Sequence, residues 1–367
     1  MSRGSVEIGV AESQWRIEEI TAEEFEARAA RDPRPNFAQS PQGARLRELS
    51  EWTTSLLGLV RGEGPDRVVG AAFVLSVRHG RLVTADISSG PLLDFTDDGL
   101  VDAFTRELAR HLGALGCVFV TMNPNVLRDD AVAHRLERHG WKHSGWTLGF
   151  ESGLRGNIRF AYVKDLTGLT LEDYRDSYAS RYRRYVRHVE KRLRLRRLGR
   201  DELPLFIDIM TNVAERKHFG QRSPEYFRAL FDAFGDRAYF LVAENEDGEP
   251  VSGIVFIENS WEMVAAIGGA VTGHEQERGN HLLHDHMIRT ALEHGLARYN
   301  FYGIEGRTDD PSSEGYGVYE FKTRFGTGFV EELIGEFTLP VDRLRYAAFR
   351  ATTSLQDAIG RTRQTSR

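Results

Sequence analysis

The chain writes one order of elements twice, and that repetition restricts its fold more than any single motif does. Each half reads as helices, a three-stranded meander, a long helix, a glycine, a strand, a short helix, a glycine and an aromatic strand. In the first half Thr21 and Glu24 form a capping-box signature that opens a helix, and Ser40-Pro41 starts a second. Apolar runs at 52–60, 67–77 and 81–87 alternate with Gly-rich turns, as an antiparallel meander does. An amphipathic helix at 98–115 hands over through Gly116 to a strand at 117–122, and a helix at 130–139 stops at Gly140. The second half repeats this order. It has helices at 201–216 and 223–234, meander strands at 239–244, 251–257 and 262–267, a helix at 281–294, and a strand from Arg298. A helix at 318–325 then ends at Gly326, and a strand resumes at 329–334. A strand at 160–166 leads into a basic segment, and 340–360 reads as a closing helix. His139-Gly140 and Phe325-Gly326 occupy equivalent places, which sets Arg135 and Leu136 opposite Phe321 and Lys322. The lysine belongs to the second copy alone.

A length of 367 residues supports two domains, and 41% hydrophobic residues are enough for two cores. The expected organisation is a flexible 1–15, a first domain at 16–160, a second at 161–350 and a frayed 351–367. The single cysteine, Cys117, excludes an internal disulfide framework and fits a reducing cytoplasm; its apolar run, CVFV, reads as an inert buried thiol. With no apolar leader and no 18-residue apolar run, the expected location is the cytoplasm. A net charge of −6 argues against wholesale coating of nucleic acid. Between Arg175 and Arg200, however, arginines crowd together with tyrosines interleaved. That block suits RNA phosphate or a diphosphate-bearing substrate, or else a solvated helix followed by an edge strand blunted by charge.

The unusual chemistry gathers between Tyr299 and Phe337. An aromatic strand is followed by a polar Gly/Ser/Asp/Pro loop over 306–317, then by Tyr319, Phe321, Lys322 and Phe325 within little more than two helical turns. A cation held among those rings can stabilise an oxyanion or a phosphate. The plainer reading is a surface lysine whose stem lies on a core aromatic. His281, His284 and His286 share one helix, where they read as solvated or partly buried residues and leave no metal site.

This order of elements resembles the GNAT acyltransferase fold in duplicate. The expected fold class is therefore α+β: two tandem GNAT-like (acyl-CoA N-acyltransferase-like) domains, mixed sheets flanked by helices. A GNAT that binds acyl-CoA cradles pyrophosphate on a Q/R-x-x-G-x-G/A loop ahead of a helix. Here that place reads Gln276-Glu277-Arg278-Gly279-Asn280-His281, and His281 stands where a small residue belongs. The carriers of a closer likeness lie in the second half. They are Arg216 to Ser223 followed by Tyr226-Phe227, then Tyr302-Gly303-Ile304, Tyr319-Glu320-Phe321-Lys322 with Phe325-Gly326, and Gly335-Glu336-Phe337. Together they resemble the FemABX family of aminoacyl-tRNA-dependent aminoacyltransferases, over most of residues 15–350. No heptad run long enough for that family's coiled-coil arm occurs, so an armless form is expected.

The resemblance implies transfer of an amino acid from its tRNA ester to an amine, with aminoacyl-tRNA as co-substrate, no cofactor and no metal. Phe321 and Lys322 match the family's catalytic pair, the ammonium stabilising the tetrahedral oxyanion. Arg222 and Tyr226 match acceptor-site positions, with Arg216, Tyr302 and Tyr319 beside them. Arg181, Arg184 and Arg187 are the residues expected to meet tRNA. The default acceptor is the stem peptide of a peptidoglycan precursor, with transient contact at a membrane surface if that precursor is lipid-linked. Three departures fall on the acceptor side. Asn123 replaces the usual aspartate before a proline, Arg45 or Arg47 stands for an early lysine, and the run from Ala265 to Gly269 replaces groove tyrosines. They raise a second acceptor class, a small amine-bearing metabolite in antibiotic tailoring. An acyl-CoA-dependent N-acyltransferase, opposed by His281, and a binding module without catalysis complete the alternatives.

Overall fold

The computed structural model describes residues 15–47, 52–80, 82–146, 158–217, 222–313 and 315–352; the side chains of residues 79, 216 and 217 lie outside the description. The first half runs β1 (Arg16–Glu19), α1 (Ala22–Ala29), α2 (Pro41–Arg47), β2 (Thr53–Val60), β3 (Val68–His79), β4 (Leu82–Ser89), α3 (Asp98–Ala114), β5 (Cys117–Pro124), α4 (Asp130–Arg138) and β6 (Lys142–His143). The second opens with β7 (Phe160–Asp165), α5 (Ser180–Val189), β8 (Arg194–Arg197), α6 (Leu203–Lys217), α7 (Pro224–Phe234), β9 (Ala238–Glu244), β10 (Pro250–Glu258) and β11 (Glu262–Ala270). It closes with α8 (Gly279–Glu293), β12 (Arg298–Ile304), α9 (Tyr316–Thr323), β13 (Gly328–Glu332) and β14 (Phe337–Pro340).

The local signals act as expected. Thr21 and Glu24 complete both halves of the capping box on α1, and Ser223 caps α7 ahead of Pro224. On α3 the residues Val101, Phe104, Leu108 and Leu112 recur every three or four positions and are buried on one face. Leu283, Met287, Ile288 and Ala291 do the same on α8. Each large aliphatic side chain so buried contributes roughly 1.5–3 kcal/mol against the chain entropy it costs.

These elements form two seven-stranded sheets, ordered β1-β2-β3-β4-β5-β14-β6 and β8-β9-β10-β11-β12-β7-β13. Position for position the pairing senses agree, including one parallel contact in each, β4 with β5 and β11 with β12. The two lobes are thus copies in topology, and the expected α+β class with duplicated units stands. The region after Gly335 is not helix from residue 340; it makes the strand β14, and a helix occupies 343–352 among the described residues. That strand belongs to the first sheet, wedged between β5 and β6, while β7 takes the same place between β12 and β13 of the second. The first lobe therefore completes its sheet with a strand from beyond its own run of elements, whereas β7 opens the second lobe's own run. β14 falls inside the expected 161–350 span yet lies in the other lobe, so no single cut in the chain separates them.

A buried ionic chain ties the lobes together. Glu331 on β13 accepts two hydrogen bonds from Arg298 on β12, at 2.7 and 2.9 Å, and two from Arg34 of the first lobe, at 3.1 and 2.7 Å. Both guanidinium groups lie over the Trp261 ring.

Lys164 on β7 presents a different case: a fully buried lysine whose ammonium donates to Ser177 Oγ at 2.7 Å. Burial pulls it from 10.5 down to about 8. The folded protein binds this proton more weakly than the unfolded chain, so the site opposes folding below pH 8 and the penalty fades between about 8 and 10.5. Lys164→Met is expected to raise stability at pH 7 by about 1–3 kcal/mol, with the gain shrinking above pH 8, as read from denaturant melts across that range.

Candidate active site

The two parallel contacts differ, and the difference opens the site. In the first sheet β4 and β5 stay paired from Val83 with Cys117 to Ser89 with Pro124. Asn123 helps to close them, its Oδ1 accepting the Ser89 N–H at 3.0 Å. An amide suits that role. In the second sheet β11 and β12 pair only from Glu262 with Arg298 to Val264 with Asn300, and then part. The run from Ala265 to Gly269 follows β10 instead, so closely that a Cβ on Gly268 would come 2.5 Å from the Gly253 carbonyl oxygen. Only glycine permits that approach. Beyond Asn300, β12 bends. Its register against β7 shifts between Asn300 and Gly303, and Tyr302 takes the left-handed conformation, φ 66°.

Lys322 meets this bend. Its Nζ donates to the carbonyls of Tyr302, at 3.0 Å, and Gly303, at 2.6 Å, and the residue is 7% exposed. The surface-lysine reading therefore fails. The helix that carries it, α9, is followed by Gly326 at φ 97°, where a Cβ would strike the Ser177 carbonyl. In the first lobe the equivalent helix α4 ends before Gly140, also left-handed, and buries Leu136 at the corresponding place. The duplication therefore carries its cation in one copy.

Aromatic rings wall the lysine. Phe321 packs against His284 and Phe325 with centroids 5.5 Å away in each case, and edge-on to His281 at 5.3 Å. His284 is buried with Nδ1 2.7 Å from the Tyr299 hydroxyl, beyond the solvated or partly buried setting expected of it. Burial first, and then the charge of Lys322, hold this imidazole well below its usual value. His281 is driven down to about 3, by burial and then by Arg278 and Arg324. Both rings are neutral at pH 7. The wall adds no second charge beside the ammonium.

The Tyr302 side chain reaches the expected acceptor residues. Burial lifts its phenol to about 12, Tyr226 adds to that, and the charges of Arg222 and Arg47 act against it. The Arg222 guanidinium lies 5.2 Å above the Tyr226 ring, and Phe37 of the first lobe is 6.3 Å from the Tyr302 ring. Lys322, Tyr302, Tyr226 and Arg222 thus form one group, joined by Arg47 and Phe37 from across the lobe boundary. Tyr319, one turn before Lys322, sets its ring edge-on to Tyr162 of β7 at 6.0 Å. Arg216 lies on α6, but its side chain is outside the described residues, as are residues 218–221.

The arginine block divides in two. Arg175, Arg183, Arg196 and Arg200 are held in ion pairs with Asp285 and Glu190, Asp176, Glu202 and Glu244, and Asp232. Arg181, Arg184 and Arg187 stand exposed on α5, with Arg181 donating to the Tyr185 hydroxyl. Arg278 lies 3.5 Å above the Tyr185 ring, which joins α5 to the first turn of α8. Among the described residues no His, Cys, Asp or Glu group is arranged to hold a metal ion. The Cys117 thiol is buried and raised to about 11. A cavity of about 1640 Å³ lies in the first lobe between α3, α4, β14 and the 343–352 helix, but its lining includes none of the residues gathered at Lys322. The chemistry selects the parted strands of the second lobe as the site.

Known proteins share the family and the fold. An aminoacyltransferase FemB of Staphylococcus epidermidis is 25% identical over 427 aligned residues, covering 93% of this chain and 99% of the relative. That alignment is longer than the chain, so the relative carries inserted residues that this chain lacks. The crystal structure of FemX superposes with a TM-score of 0.78 at 20% identity, over 91% of this chain and 99% of that one. A tandem GNAT protein from the clavulanic acid biosynthesis pathway gives 0.54 at 11% identity, over 89% and 99%. The fold is the tandem GNAT-like one, and no coiled-coil arm occurs among the described residues. The FemAB family's sequence pattern matches residues 20–246 and 244–354, nearly the whole length, and the chain belongs to the FemAB family.

Proposed function

We propose that this protein transfers an aminoacyl group from aminoacyl-tRNA to an amine on the stem peptide of a peptidoglycan precursor. The observation that carries the reading is a desolvated ammonium, Lys322, fixed on two carbonyls beside the parted strands and adjoining an Arg222/Arg47/Tyr226 group. The amine nitrogen attacks the ester carbonyl carbon and the carbonyl oxygen gains negative charge, which Lys322 stabilises. Collapse breaks the bond to the ribose oxygen, and the proton lost by the nitrogen ends on that oxygen. The ester is already activated, so the chain needs to supply position and one positive charge. Phe321 and the neutral imidazoles exclude water that would otherwise hydrolyse the ester. Two arginines beside two phenols suit an acceptor that carries a diphosphate, which favours the precursor over a small uncharged metabolite. An acyl-CoA donor fits less well. The His281 ring sits on the first turn of α8, 4.4 Å from Tyr182, where a pyrophosphate would have to approach the helix amides.

The test is mass spectrometry of a nucleotide-linked peptidoglycan precursor incubated with the protein, total tRNA, amino acids and a charging extract. The expected product is the precursor heavier by one or more aminoacyl residues. Product on an amine-bearing metabolite and on no muropeptide would overturn the acceptor assignment.

The exposed α5 arginines are the part of this reading that concerns tRNA. Replacing Arg184 and Arg187 together by Glu is expected to raise the KM for charged tRNA with little change in kcat. It should also flatten the slope of log Kobs against log salt by roughly 1–2. An unchanged slope would move the tRNA contact elsewhere.

A further inference from the structure

We infer that Asn300 and Tyr302 form a pivot that sets Lys322 for reaction, with Asn300 a positioning residue whose side chain holds Tyr302 in its left-handed conformation. The inference deepens the proposed aminoacyl transfer and rests on it. Tyrosine has no intrinsic reason to adopt φ 66°; left-handed backbone costs an L-residue with a Cβ and persists where surroundings impose it. Here the imposing group is visible. The Tyr302 N–H donates to Asn300 Oδ1 at 2.8 Å, closing a short side-chain turn over the bend in β12. One consequence is the aim of two successive carbonyls, Tyr302 and Gly303, at the Lys322 Nζ. The other is the seating of the Tyr302 ring 6.3 Å from Phe37 of the first lobe, within electrostatic range of Tyr226, Arg222 and Arg47. One backbone conformation therefore positions the oxyanion-stabilising cation and the acceptor wall together.

Asn300 is itself held from behind. Its Nδ2 donates to Glu262 Oε2 at 3.1 Å, Glu262 accepts from Arg298 at 2.8 Å, and Arg298 shares Glu331 with Arg34 of the first lobe. Every member from Asn300 to Glu331 is buried. The hydrogen-bonded chain from Arg34 to Lys322 is continuous, so the setting of the lysine depends on the junction between the lobes.

Glycine reaches the left-handed region at little cost and alanine does not, which yields a direct test. Tyr302→Gly and Tyr302→Ala both delete the ring, so both should raise the acceptor KM alike. The seat of the ring against Phe37 helps Asn300 to hold the conformation, so the alanine variant, which keeps the Cβ cost without the ring, should also lose kcat, by about five- to thirtyfold relative to glycine. Asn300→Ala should lower kcat by roughly tenfold with a smaller change in KM, and adding Tyr302→Gly should restore it; a merely structural asparagine would not be rescued by a glycine two residues away. Equal kcat for the glycine and alanine variants would overturn the pivot, whether or not Asn300→Ala folds. The chain has five lysines, so 15N-lysine labelling gives a small set of ammonium signals, with Lys322 assigned by its loss in Lys322→Arg. The Lys322 signal should shift in Tyr302→Ala and stay near its wild-type position in Tyr302→Gly. That readout needs no substrate. Absence of any aminoacyl transfer by the wild type would defeat the functional reading, whereas an unmoved lysine signal would defeat the pivot.

Discussion

Lys322→Ala is expected to lower kcat by about 10²–10³-fold, a loss of roughly 2.7–4 kcal/mol of transition-state stabilisation, with the KM values for both substrates changed far less. The size follows from where the ammonium sits. It is 7% exposed and bonded to two carbonyls, so it needs no reorganisation when negative charge forms beside it. The neutral imidazoles of His281 and His284 cannot substitute, because burial keeps both deprotonated at pH 7. Lys322→Arg should recover little. A planar guanidinium cannot occupy the point between the Tyr302 and Gly303 oxygens that a compact ammonium fills. Steady-state kinetics with precharged tRNA, varying each substrate in turn, separates the effects on kcat and KM. A Lys322→Ala enzyme of full kcat would leave the reaction without its stabilising charge.

Glu331→Gln is expected to remove about 3–5 kcal/mol of stability, the second large effect. The carboxylate is the shared partner of two guanidinium groups, those of Arg298, buried, and Arg34, one-fifth exposed at its side chain. Replacing it with an amide leaves two cations in a poorly hydrated place with one fewer negative charge, the costly way to break a buried pair. Burial works against its ionisation, but Arg298 and Arg34 outweigh that and hold the carboxyl below its ordinary 4.5. The pH dependence has a definite sign. A depressed carboxylate contributes stability that is present above pH 4.5 and lost as pH falls through the lower folded value. The gap between wild type and Glu331→Gln, measured by chemical denaturation, should therefore be widest near neutrality and narrow below pH 4.5. Because Arg34 belongs to the first lobe, loss of the pair should also broaden the transition as the lobes unfold less cooperatively.

The residues show which parts of this molecule were legible from sequence. Caps and stops are local chemistry. Thr21 with Glu24, Ser223 with Pro224, and Gly326 each fix a boundary through neighbours a few positions away, and the structure keeps them. The duplicated order survived for the same reason. The passage of β14 into the first sheet was not legible. β14 is four residues long, its partner Phe119–Met122 lies more than two hundred positions earlier, and Pro340 at its end imitates a helix start. The parting of β11 from β12 was equally hidden, since parallel pairing is set by register and not by composition. His284 looked like a helix-surface residue because its partner, the Tyr299 hydroxyl, comes from another element. At Lys322 the identity was readable but its burial was not. The left-handed Tyr302 gave no signal at all, since the cause, Asn300, is a common strand-end residue whose effect appears only once β12 bends.

The central claim is that charge on Lys322 serves an aminoacyl ester carried by RNA. The most direct measurement follows a radiolabelled amino acid, esterified to tRNA, through incubation with the protein and a peptidoglycan precursor, alongside an identical reaction pretreated with ribonuclease. The account predicts label on the precursor in the first reaction, none in the second, and near-background transfer with Lys322→Ala. Transfer that proceeds from acyl-CoA, survives ribonuclease and ignores the lysine would contradict it.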